Sequence, residues 1–263
     1  MTTQQDSSPL DLQRCAFFLD VDGTLAEIQP RPELVFIPPP TLRALEQMQV
    51  LGVPVAVVSG RRIEELDRLL SPLRLPAAGV HGAERRGIDG TLHHLKLDTQ
   101  ALARIELELT SACGRYPGLM LENKGVAFAL HYRQAPALES QVRELAEEFA
   151  RRYADVLSLQ PGKCVFELKP KGASKGEVIR DMMREAPFNG RVPVFVGDDL
   201  TDEAGFAVVD ELGGYTYKVG TGETLARRRL DSVAAVSLWL SELLSVAQAP
   251  GAVSSNNKSE GQS

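Results

Sequence analysis

Apolar runs of strand length alternate with stretches of helical spacing along much of the chain. Residues 16–19 form a short apolar run that ends in Asp20, and from Thr41 onward Leu42, Leu45 and Met48 recur at helical spacing. A second buried strand is expected over 53–58, closed by Ser59-Gly60, followed by a helix over Ile63–Leu70 and a third strand over 77–80. Near the other end, 192–196 repeats the pattern and runs into Gly197-Asp198-Asp199, before a helix over 202–209 and a strand over Tyr215–Val219. Single helices between strands predict right-handed crossovers and a parallel sheet with helices on both faces.

The middle of the chain has a different rhythm. A helix over 101–112, strands over 119–122 and 126–132, a helix over 138–153, and strands over 156–159 and 164–168 make an α+β pattern. This divides the chain into a core of 1–97 and 171–248 and an inserted module of 98–170. A polar tail, 249–263, is expected to be disordered. At 263 residues the chain has room for one to two domains. The excess of Asp and Glu over Lys and Arg, 35 against 29, argues against nucleic acid and anionic membrane as partners. No apolar run approaches the roughly 18 residues that span a bilayer, and the first residues lack the order of a signal peptide. Cys15, Cys113 and Cys164 are odd in number and far apart, which suits reduced thiols in a cytoplasmic protein better than disulfides or a zinc site.

Chemistry concentrates at strand ends. Asp is a poor strand residue, yet the first apolar run closes on Asp20-Val21-Asp22-Gly23-Thr24. Residues i and i+2 share a strand face, so Asp20 and Asp22 converge beyond its carboxyl end, where open parallel sheets bind ligands. Two carboxylates 4 Å apart repel by about 4 kcal/mol at an effective dielectric near 20, and a hard cation such as Mg²⁺ relieves that. An Asp-Gly turn alone would explain Asp22-Gly23, but not the whole run. Asp198, Asp199, Asp202 and Glu203 supply more acid than a helix cap needs, and also point to a cation. Ser59-Gly60-Arg61 could hold a phosphate through its hydroxyl and amides, or be an ordinary helix cap. Lys175, ahead of a helix, suits phosphate as a compact charge, although most lysines are solvated.

These four motifs, in this order, resemble the haloacid-dehalogenase-like phosphatase superfamily. The resemblance implies an α/β fold with a Rossmann-like parallel-sheet core and an inserted α+β cap. It implies that Asp20 is the nucleophile, forming an aspartyl-phosphate, and that Asp22 is the general acid and base. Ser59 and Lys175 would hold the phosphoryl oxygens, with Mg²⁺ on Asp20, the Asp22 carbonyl and Asp198, and Asp199 and Asp202 in support.

Polar clusters in and near the insert offer donors and acceptors together, as sugar hydroxyls require. The segments Gly79-Val80-His81-Gly82-Ala83-Glu84, LENKGVAFALHYR from Leu121 and PGKCVFELKP from Pro161 resemble the trehalose-6-phosphate phosphatase family. That implies hydrolysis of trehalose 6-phosphate to trehalose and phosphate, the last step of trehalose biosynthesis, by a cytoplasmic monomer paired functionally with a separate synthase. Gly60, Arg61, His81, Glu122, Lys124 and Glu167 are the expected substrate contacts. His81, Glu84, His131, Arg133 and Lys163 stay open between contact and structural roles, and Glu122 or Lys124 taken singly fits a solvated strand edge better than a contact. Another sugar phosphatase, for example on sucrose 6-phosphate, or a phosphohexomutase remains the alternative.

Overall fold

The computed structural model describes residues 10–95 and 98–248. The expected tail, 249–263, lies outside the described residues. In chain order the regular elements are β1 (Cys15–Leu19), α1 (Pro39–Val50), β2 (Val55–Val58), α2 (Ile63–Leu70), β3 (Ala77–Gly79), β4 (Glu84–Arg86) and β5 (Leu92–His94). Next come α3 (Thr99–Cys113), β6 (Met120–Asn123), β7 (Phe128–His131), α4 (Glu139–Arg152), β8 (Leu157–Gly162) and β9 (Val165–Pro170). The chain closes with α5 (Lys175–Met182), β10 (Val192–Gly197), α6 (Glu203–Glu211), β11 (Tyr215–Val219), β12 (Arg228–Leu230) and α7 (Val233–Gln248).

The larger sheet runs β12-β11-β10-β1-β2-β3-β4-β5. From β12 to β3 every pairing is parallel, as expected, because each crossover carries the chain back to the same end of the sheet before the next strand begins. The β4–β5 hairpin then extends it antiparallel, which the sequence reading did not anticipate. Arg86 anchors that hairpin. Its fully buried guanidinium pairs with Asp67 of α2 and donates to Leu75 O.

Alternation along β1 explains the two layers of helices. Phe17 and Leu19 pack with Leu45 and Met48 of α1, Leu66 of α2 and Leu240 of α7. Ala16 and Phe18 face the other way, against Ile179 of α5 and Phe206 of α6. All five β1 side chains are therefore buried, so β1 reads as a continuous apolar run rather than an alternating one. Helix α1 begins at Pro39, two residues ahead of the expected Thr41, because proline suits the first helical turn, where its missing N–H is no loss.

The segment from α3 to β9 forms its own sheet, β6-β7-β9-β8, antiparallel throughout. It buries Leu102, Ile105 and Leu109 of α3 and Val142 and Phe149 of α4 against Phe128, Phe166 and Leu168. Where it meets the core, Val80, Ala83, Ala127 and Ala173 form a small apolar contact.

Candidate active site

Strand order sets the site. β1 lies between β10 and β2, the point where the chain reverses its direction of winding across the sheet, and ligands bind beyond the carboxyl ends at such a point. Asp20, Ser59 and Asp198 follow β1, β2 and β10 directly and so emerge side by side. Lys175, the first residue of α5, reaches them with its ammonium buried: Nζ donates to Asp20 Oδ1 at 2.8 Å and to Asp202 Oδ1 at 2.7 Å.

Three carboxylates crowd around one lysine. Burial raises the Asp20 carboxyl well above its usual range; Lys175 counters that, while Asp202 and Asp198 add to it. Asp198 is pushed up to about 7 by burial and then by Asp202 and Asp199. Burial alone would lower Lys175, but Asp20 and Asp202 outweigh it and hold the ammonium above its usual value.

The donor set fits a small hard cation. One oxygen from each of Asp20, Asp198 and Asp202 lies within 4.8 Å of the others, and Asp198 Oδ1 is buried without a hydrogen-bond partner. Asp202 is otherwise occupied: its Oδ2 accepts from the amides of Asp198 and Asp199, both at 3.0 Å, while its Oδ1 faces Lys175. It therefore shapes the loop. Lys218 of β11 donates from behind to Asp198 O. Gly23 must be glycine here, since its φ is +85° and a Cβ would lie 2.1 Å from Asp198 Oδ2.

Asp22 stands at the mouth, where the Arg61 guanidinium grips it with two bonds, Nε to Oδ2 at 2.6 Å and Nη2 to Oδ1 at 2.7 Å. Ser59 is buried, and its Oγ accepts from Arg61 N at 3.2 Å. A strained segment braces this loop. Val80 and His81 have φ of 47° and 55°, a region that costs a β-branched residue about 1–3 kcal/mol and persists only where neighbours enforce it. Their amides are the enforcing contacts: Val80 N donates to Arg61 O and His81 N to Ser59 O, each at 2.9 Å. Glu84 stands behind and accepts from Ile63 N at 2.9 Å, at the start of α2.

The opposite wall comes from the small sheet. Glu122 and Lys124 flank the end of β6, and Glu122 pairs with His131 of β7 at 2.7 Å. Burial pushes Glu122 up, but His131 and Lys124 outweigh it and hold the carboxyl below its usual value. Glu167 of β9 bonds both Lys124 Nζ and His81 Nε2. Burial opposes its charge, yet Lys124 and His81 hold it well below the carboxylate range. Burial drives the His81 imidazole below its usual value despite that partner.

One cleft gathers Asp20, Asp22, Ser59, Gly60, Arg61, His81, Glu122, Lys124, Glu167, Lys175 and Asp198, and also His131, Arg133, Lys163 and Asp199. Glu84 and Asp202 are not in its lining. Two features of the site have no counterpart in the sequence reading, one in the cleft and one behind it. Ile28, Pro30, Pro32 and Val35 give it an apolar flank from a loop with neither helical nor strand periodicity. Behind it lies Lys218, buried in the structure; its only signal in the sequence was a lysine inside the strand run Tyr215–Val219.

A parallel sheet with Asp20, Ser59 and Asp198 at adjacent strand ends, a buried lysine between them and an antiparallel module facing them defines a haloacid-dehalogenase-like phosphatase. Comparison with known proteins refines the class. The sequence profile of the trehalose-phosphatase family matches residues 18–234, and the chain belongs to that family. It is 47% identical over 249 residues to the trehalose-6-phosphate phosphatase of Escherichia coli K12, covering 94% of this chain and 93% of that one. It is 39% identical over 211 residues to a probable trehalose-phosphate phosphatase of Sinorhizobium fredii, covering 80% and 79%. A crystal structure described as a trehalose-6-phosphate phosphatase related protein superposes with a TM-score of 0.75 at 29% identity, over 88% of this chain and 98% of that one.

Proposed function

We propose that this phosphatase hydrolyses trehalose 6-phosphate to trehalose and inorganic phosphate by way of an aspartyl-phosphate on Asp20. The observation that carries the reading is the single cleft, in which a nucleophile, a buried lysine and a serine face a wall of sugar-compatible groups. Asp20 attacks phosphorus and forms the new P–O bond, while the bond to the sugar oxygen breaks. Asp22 gives that oxygen a proton, which spares the sugar from leaving as an alkoxide, a contribution of typically 10²–10⁴-fold. Asp22 then takes a proton from the water that attacks the phosphoryl group, and phosphate departs with Asp20 restored. To serve in both steps Asp22 exchanges its two bonds from Arg61 for the bridging oxygen and the water.

Lys175 and the Ser59 hydroxyl hold phosphoryl oxygens, so that a carboxylate can approach a dianion. Asp20, Asp198 and the Asp22 carbonyl would hold Mg²⁺, which would supply further charge neutralisation. Residues 98–170 act as a cap that closes over the leaving sugar, excluding water and selecting the substrate through Glu122, Lys124 and Glu167. In this reading a separate synthase supplies trehalose 6-phosphate, and the enzyme works as a cytoplasmic monomer. No described helix is long and apolar enough to cross a membrane.

The test is phosphate release from trehalose 6-phosphate, sucrose 6-phosphate and glucose 6-phosphate with Mg²⁺. Preference for the first supports the proposal. Preference for sucrose 6-phosphate moves the chain to a sibling specificity. Isomerised sugar phosphate with little free phosphate would make it a phosphohexomutase.

A further inference from the structure

The loop Ser59-Gly60-Arg61 has three backbone carbonyls, and all three are held from outside it. Two are held by the core: Ser59 O accepts from His81 N and Arg61 O from Val80 N. The third, Gly60 O, accepts from Lys124 Nζ at 3.1 Å, and Lys124 belongs to the cap. Gly60 O and Arg61 N are the two ends of one planar peptide unit. That N–H is the donor to Ser59 Oγ. Holding Gly60 O therefore fixes the direction of the bond that orients the serine hydroxyl. A Cβ on Gly60 would lie 2.8 Å from the His81 ring, so a larger residue there would have to displace that ring.

Lys124 is itself braced. Its ammonium is buried and bonds Glu167, whose other oxygen bonds His81 of the core. The chain of contacts runs from cap to hydroxyl without a gap: Glu167, Lys124, the Gly60–Arg61 peptide, Ser59. We propose that Lys124 is a positioning residue for the phosphoryl-binding loop, so that cap closure completes the phosphate site as well as enclosing the sugar. The proposal rests on the phosphatase reading above and adds to it. A lysine that served only as a sugar contact would have no effect on a substrate without a sugar.

Phenyl phosphate is that substrate. K124M is expected to lower kcat for phenyl phosphate about tenfold, equivalent to misaligning one hydrogen-bonded group, with KM changed less than about threefold. K124R, which keeps both charge and donors, is expected to recover most of that loss. Unchanged kcat on phenyl phosphate alongside lost turnover of trehalose 6-phosphate would overturn the proposal, as would a loss confined to KM. If K124M does not fold, K124Q reads the same split under the same criteria. Wild-type turnover of trehalose 6-phosphate tests the phosphatase reading separately, whatever these variants do.

Discussion

The two walls of the cleft are held in place by different means. On the core side, Asp20, Ser59 and Asp198 emerge from adjacent parallel strands, so the sheet register fixes their spacing before any side chain interacts. On the cap side, Glu122, Lys124 and Glu167 lie on an antiparallel sheet and are oriented by pairing, Glu122 with His131 and Glu167 with Lys124 and His81. In the proposed reaction the core wall does its chemistry on the phosphoryl group and its bridging oxygen, which every phosphate ester shares. The cap wall is where a sugar can be chosen. Chemistry placed on strand ends and selection placed on a separate module can vary independently, except where Lys124 joins them.

The largest effect should come from the core wall and ignore the sugar. D20N is expected to lower turnover by about 10⁴-fold or more on both trehalose 6-phosphate and phenyl phosphate, measured by phosphate release. E122A sharpens the contrast, because the bond Glu122 makes among the described residues is to His131 of its own sheet. Loss of a charged hydrogen bond of about 1.5–3 kcal/mol should cost roughly 10–100-fold in kcat/KM on trehalose 6-phosphate and little on phenyl phosphate. Equal losses on both would erase the division between the walls.

Acidity separates the walls as well. Asp198 is raised to about 7 in the fold, so the folded protein holds a proton there that the unfolded chain releases near ordinary carboxylate pH. Its contribution to stability is thus present at low pH and lost as pH rises through about 7. The metal-free wild type should lose more melting temperature than D198N between pH 5.5 and 7.5, and Mg²⁺ should restore it at the upper end. Identical slopes in the two proteins would count against this assignment. The smallest effect belongs to the cap alone. Asp98 caps α3 by accepting from Gln100 N at 2.9 Å and Ala101 N at 3.2 Å. D98A should cost about 1 kcal/mol by denaturant unfolding while kcat on phenyl phosphate holds.

Much of this could be read from the residues because chemistry and periodicity coincide in the core. Helix α2 and strand β11 fall where the pattern placed them, and the strands that carry Asp20, Ser59 and Asp198 are apolar runs that stop at polar residues. The β4–β5 hairpin was not legible: Glu84-Arg85-Arg86, between β3 and β5, and Leu92-His93-His94, at the sheet edge, are three-residue strands whose polar side chains hide the alternation. Helix α7 buries Val233, Val236, Leu240 and Leu244, but exposed Leu238 and Val246 blur that stripe. Glu84 stood out as a motif residue, yet its bond to Ile63 N depends on that unread hairpin. The grip of Arg61 on Asp22 depends on side-chain geometry between two loops, which spacing does not encode.

Asp20 is proposed to carry the phosphoryl group between sugar and water. Acid quenching of enzyme during turnover of trehalose 6-phosphate, followed by peptide mass mapping, tests it directly. A phosphoryl adduct is expected on the peptide containing Asp20 and is expected to be absent from D20N. Steady phosphate release with no phosphoenzyme, or with the adduct on another residue, would contradict it.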